Sequence, residues 1–287
     1  MRRVLALAGA IAVPMMGIPS ARAGTIVSNV ADGILTVNGT TEGDDVTVRC
    51  EGERVTVNHD HPSGEPTACA DLRRILVFAG EGPDRVSLGE VTRTPFDHLA
   101  ATSVSGQQGD DALIGSGLGD DLIGGGGVDS LESGKGQDHL TPGPDGGEAI
   151  GGKGHDTVAL AGDGDWKIND SRARLVQADE TTTLGSIEIA VVTGGEGANL
   201  ISGGSFTGSL RIKGRGGGDL LQSGMGNDRI LGGKGNDFVQ AGSGDDQLQG
   251  GVGDDSLSGD SGNDELDGEQ GEDTCRGGPG ADSVVSC

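Results

Sequence analysis

Residues 214–285 read GRGGGDLLQ SGMGNDRIL GGKGNDFVQ AGSGDDQLQ GGVGDDSLS GDSGNDELD GEQGEDTCR GGPGADSVV, eight units of nine residues with no gap between them. The sixth position is Asp in every unit: Asp219, Asp228, Asp237, Asp246, Asp255, Asp264, Asp273 and Asp282. The eighth is apolar: Leu221, Ile230, Val239, Leu248, Leu257, Leu266, Cys275 and Val284. The fourth is Gly throughout, and Gly tolerates φ > 0, so six residues can turn tightly with their carbonyls drawn together. The next three residues make a minimal strand with one side chain pointing inward. Two units then close one coil of a flattened spiral, and unit n stacks on unit n+2 about 4.8 Å away. A flexible Gly/Asp linker would have no reason to keep an apolar residue every nine positions.

The pattern G-G-x-G-x-D-x-U-x resembles the RTX, or haemolysin-type calcium-binding, repeat family. The resemblance implies an all-β, right-handed parallel β-roll or β-helix solenoid built from calcium-binding nonapeptide repeats. Stacked carboxylates repel unless a cation lies between them, and carboxylates with backbone carbonyls form a hard oxygen set suited to Ca²⁺. The family implies the same arrangement, each ion between neighbouring loops, held by sixth-position Asp and loop carbonyls. The expected pairs are Asp219/Asp237, Asp228/Asp246, Asp237/Asp255, Asp246/Asp264, Asp255/Asp273 and Asp264/Asp282.

Upstream the pattern loosens. A first array spans residues 105–159, where Asp111, Asp121, Asp129, Asp138 and Asp156 follow one another at spacings of 10, 8, 9 and 18. One register slip is thus corrected at once, and one unit has Gly147 in place of Asp, where calcium binding should weaken. Residues 24–104 read as β-rich opening coils with strands at 34–37, 46–49, 54–58 and 74–78 and degenerate repeats that offer Asp45 and Asp84 as isolated ligands. Residues 160–213 read as β-rich connecting coils, with Asn199 at a sixth position, and residues 214–287 as the second array with a C-terminal cap. An echo between residues 72–82 and 187–197, offset by 115, suggests one plan used twice.

Residues 1–23 have the form of an export signal: Arg2 and Arg3, an apolar run, then Ala21-Arg22-Ala23. The run is too short to span a bilayer, so a soluble, secreted, extracellular protein is expected, with no membrane span. Removing the signal takes the formal charge from −25 to −28 over 264 residues. Such a chain repels itself and repels phosphate, which excludes nucleic acid as a partner. Aromatic residues are 2% of the chain, too few for a conventional core, and a narrow solenoid is what remains. Four cysteines in an exported chain suggest disulfides, and proximity favours Cys50–Cys69 and Cys275–Cys287, the second folding the last residues back over the final coil.

Catalytic patterns dissolve into the repeat. Gly259-Asp260-Ser261-Gly262 looks like a serine-protease nucleophile sequence but fills positions one to four of a unit. Residues 147–153 have phosphate-loop spacing without the hydroxyl that would hold Mg²⁺. His59-Asp60-His61 reads as a solvated turn and Trp166 as core where the first array frays. Unbroken non-repeat blocks of about 50–60 residues are short for an active-site scaffold, so no enzyme is expected. Calcium is the expected cofactor and partner, in a secreted protein that folds on binding it. A calcium-dependent adhesion or matrix spacer with a cell-surface or polysaccharide partner is the alternative, and an accessory module of a secreted hydrolase a further one.

Overall fold

A computed structural model describes residues 26–64, 67–162, 164–175 and 180–287. The expected export signal lies outside the described residues. Among the described residues the chain is almost entirely β, with one three-residue 3₁₀ turn, Cys69–Asp71. Its strands fall alternately into two 14-stranded sheets, so that each passage through both sheets completes a coil. Successive strands in a sheet are parallel, as in Arg229–Lys234, Gln247–Val252 and Glu265–Gln270 of the first sheet. In the second sheet Leu220–Met225, Phe238–Ser243 and Ser256–Ser261 run the same way. This is a parallel β-roll, as the nine-residue period demands.

The register explains how so thin a core holds. Ile230 lies opposite Leu248 and Leu248 opposite Leu266, so the eighth positions form one apolar column. Leu221, Val239 and Leu257 form its counterpart on the other sheet. All six are at most 1% exposed. Each buried aliphatic side chain contributes about 1.5–3 kcal/mol, and the flanking residues, such as Gln247 and Glu265, face water.

Three departures from the simple coil occur. At the N-terminal end two antiparallel hairpins close the stack: Val27–Ala31 with Ile34–Thr40, and Asp45–Glu51 with Arg54–Val57. The disulfide Cys50–Cys69 ties the second hairpin to the turn that follows it. Between the arrays, Trp166–Asn169, Arg172–Leu175 and Glu180–Gly185 form an antiparallel meander within the second sheet. The first sheet passes from Thr157–Ala161 straight to Ile189–Thr193. Trp166 is buried here, its indole N–H donating to the Gly162 carbonyl. At the other end Cys275–Cys287 folds the last residues onto the final coils. Both sheets run on through residues 105, 160 and 214. Among the described residues no helix is long and apolar enough to cross a membrane.

Truncating one inward residue leaves a void that a close-packed column cannot refill. Leu248→Ala should lower the unfolding free energy by about 2–5 kcal/mol, whereas Gln247→Ala on the same strand should stay within about 0.5 kcal/mol of the parent. Urea unfolding of both variants in calcium measures the difference.

Candidate metal centre

Each sixth-position Asp sits where a loop turns into a strand, and its two carboxylate oxygens have different surroundings. Oδ1 accepts the backbone N–H of the sixth residue one coil earlier. Asp237 takes the amide of Asp219 at 2.8 Å, Asp255 that of Asp237 at 2.8 Å, and Asp273 that of Asp255 at 2.8 Å. On the other edge of the roll Asp246 takes the amide of Asp228, Asp264 that of Asp246 and Asp282 that of Asp264. All six expected pairs are brought together, one coil apart.

The second oxygen has no such partner. Oδ2 of Asp228, Asp237, Asp246, Asp255, Asp264 and Asp273 is buried and accepts no hydrogen bond. Leaving one such oxygen desolvated costs several kcal/mol, and the array repeats it at every loop. Position one, where it is Gly, shows where this oxygen points. A Cβ built on Gly214 would lie 2.2 Å from Asp219 Oδ2 and 2.5 Å from the Gly232 carbonyl, and Gly232 and Gly250 repeat the arrangement. At Gly214, Gly232 and Gly250 carboxylate and carbonyl oxygens therefore converge on a space that a Cβ would intrude on, whereas Ser223 and Ala241 stand at position one of their units. Among the described residues no three acidic, His or Cys side chains meet at one point. The donor set is one of carboxylates with main-chain carbonyls, hard oxygens that fit Ca²⁺ and not a thiolate- or imidazole-seeking metal.

The first array follows the same geometry with a corrected register. Asp111 donates its amide to Asp129, and Asp138 donates its own to Asp156. Asp120, not Asp121, heads the second row, which continues through Asp138 to Asp156. Asp120 is buried and donates its amide to Asp138, while Asp121 lies on the outward side of its strand. The spacing from Asp111 to Asp129 is thus nine and nine, and the expected slip does not occur. The same correction applies to Asp45, which is exposed; Asp44 is the ladder residue, donating to Asp84, which donates to Asp111. In both doublets the ladder residue is the one with a buried apolar residue two places on, Leu122 after Asp120 and Val46 after Asp44. Asp120 also differs chemically, because its oxygens accept from Thr102 Oγ1, Ser116 Oγ and Ser116 N and neither is left over. At Gly147 the ladder stops, as the missing carboxylate requires, and at Asn199 it resumes with an amide donated to Asp219.

Position five carries a second ladder that the sequence reading missed. There the bond runs the other way: Asp245 N donates to Asn227 Oδ1, Asp254 N to Asn236, Asn263 N to Asp245, and Glu272 N to Asp254. The recurring Asn or Asp before the sixth-position Asp was the available signal. His59 and His61 engage Glu51 and the Val55 carbonyl separately, in an exposed turn.

Burial raises the carboxyls of the ladder, to about 7 for Asp84, Asp129 and Asp246 and about 6 for Asp111, Asp156 and Asp237. Their unfolded value is near 3.9, so the metal-free folded chain holds more protons than the unfolded one. That stability is complete below about pH 4 and is lost as pH rises through about 6 to 7. In chelator the β-structure content should be higher at pH 5 than at pH 8. In calcium the order should invert, since the ion needs the deprotonated form. At Asp120, substitution by Ala orphans three buried donors and should cost about 1–3 kcal/mol in calcium, while Asp121→Ala should leave thermal unfolding nearly unchanged. A comparison with curated proteins returned no match. The chain does match the RTX calcium-binding nonapeptide repeat in four copies, over residues 105–140, 191–210, 213–248 and 249–284. By loop geometry and repeat alike, these four segments are RTX calcium-binding nonapeptide repeats.

Proposed function

We propose that this is an exported calcium-binding protein whose two arrays fold as the ion binds, with the sixth-position Asp residues and loop carbonyls as ligands. The observation that carries the reading is the run of buried Asp Oδ2 atoms that accept no hydrogen bond, of which those of Asp111, Asp129, Asp237, Asp255 and Asp273 converge with a main-chain carbonyl beside the glycine at position one. The assigned ligands are Asp111, Asp129, Asp138, Asp156, Asp219, Asp228, Asp237, Asp246, Asp255, Asp264, Asp273 and Asp282. Asp44 and Asp84 extend the same row into the opening coils, since Asp84 is buried with a free Oδ2. Asp120, already satisfied by hydroxyls, holds its loop without an ion.

Metal that binds only the folded chain stabilises it by mass action. At a calcium concentration ten times Kd each site adds about 1.4 kcal/mol, and several sites in one array add together. Extracellular calcium modules bind with Kd of about 10⁻⁴–10⁻³ M, so a chain with this charge stays open where calcium is scarce and closes outside the cell. The disulfides at both ends agree with an oxidising compartment. Binding, not catalysis, is the activity assigned.

Calcium titration followed by circular dichroism should show β-structure rising cooperatively. Asp246→Asn, in mid-array, should shift the midpoint to higher calcium by about threefold or more, corresponding to roughly 0.6 kcal/mol or more. Equal β-content in chelator and in calcium would sink the coupling of folding to binding.

A further inference from the structure

The first array's ladder continues beyond its repeat pattern. Asp156 is the last sixth-position Asp before the irregular segment, and eighteen residues on the sequence has Arg174. The chain instead makes its antiparallel meander and returns with Ser186 and Glu188 beside Asp156. The Glu188 carboxylate accepts the Asp156 amide at 2.8 Å through Oε2, the place that an Asp fills elsewhere on the ladder. In return the Asp156 carbonyl accepts from the amides of Glu188 and Ile189, at 3.2 and 3.0 Å. Ser186 has φ of 51°, uncommon for a residue with a side chain. A Cβ built on Gly151 would lie 2.5 Å from Asp156 Oδ2 and 2.5 Å from the Ser186 carbonyl, so these oxygens converge as Asp219 Oδ2 and the Gly232 carbonyl do at Gly214. Asp156 is 0% exposed, and its Oδ2 accepts no hydrogen bond.

We infer that Asp156 Oδ2, the Glu188 carboxylate and the Ser186 carbonyl form a further divalent-cation site, assembled across the inserted meander from residues outside the matched repeats. The inference rests on the calcium reading of the ladders and extends it to a ligand set that the nonapeptide does not encode. Two carboxylates and a carbonyl are hard oxygens and select Ca²⁺. An ion here ties the last coil of the first array to Ile189–Thr193, the strand that leads into the second, and so couples the two arrays.

Native mass spectrometry at saturating calcium tests the site. Glu188→Gln keeps an oxygen for the Asp156 amide but removes the charge, and Gly151→Ala puts a methyl where the oxygens converge. Each should carry one ion fewer than the parent. Gly89→Ala, whose added methyl meets nothing nearer than 3.8 Å, should carry the parent's number. Should Glu188→Gln fail to fold in calcium, Gly151→Ala and terbium anomalous scattering from parent crystals decide, with a peak expected between Asp156 and Glu188. A full ion count in Gly151→Ala, or no peak there while the arrays are occupied, overturns this site alone. A parent chain that carries no calcium at all overturns the reading of the ladders beneath it.

Discussion

Buried carboxylates stacked one strand spacing apart are the constraint under which everything else in this molecule is arranged. Two unit charges at about 4 Å repel by about 4 kcal/mol at the effective dielectric of a protein surface, and each row repeats that contact from coil to coil. Backbone amides neutralise half of the problem by donating to Oδ1. The other half, the buried Oδ2 atoms, is left to a cation. A chain with 45 acidic and 20 basic residues thereby places its charge where it is hardest to tolerate without an ion.

The remainder of the architecture follows from that loop. One inward apolar residue per nine yields a core a single side chain deep on each sheet, with Leu248, Leu257 and Leu266 almost completely shielded. Such a core suffices only because every coil leans on two neighbours. Where the loop chemistry lapses, other devices appear: hydroxyls at Asp120, an antiparallel meander after Thr157–Ala161, and disulfides at Cys50–Cys69 and Cys275–Cys287.

Much of this was legible in the sequence, because a fixed period converts position in the chain directly into position in space. The six Asp pairs of the second array, the gap at Gly147 and both disulfides follow from counting and proximity. Doublets of Asp defeated the count at Asp44 and Asp120, where taking the second residue of each pair put the carboxylate on the wrong face of the strand. Asking which Asp precedes a buried apolar residue by two places resolves both. Glu188 lay beyond such reasoning, since the meander separates it from Asp156 by 32 residues and nothing local marks it as a substitute Asp. The separations of 40 and 27 residues along Asp44, Asp84 and Asp111 hide the start of the row for the same reason.

In the second array the paired ladders at positions five and six run in opposite senses, so from Asn227 onward adjacent coils both give and receive. Asp228 lends its amide forward to Asp246, while Asp245 lends its own back to Asn227. Adjacent coils of the second array are therefore stitched reciprocally, without waiting for a third. Order can begin at whichever junction forms first and spread in both directions, like a zip with a slider at every tooth.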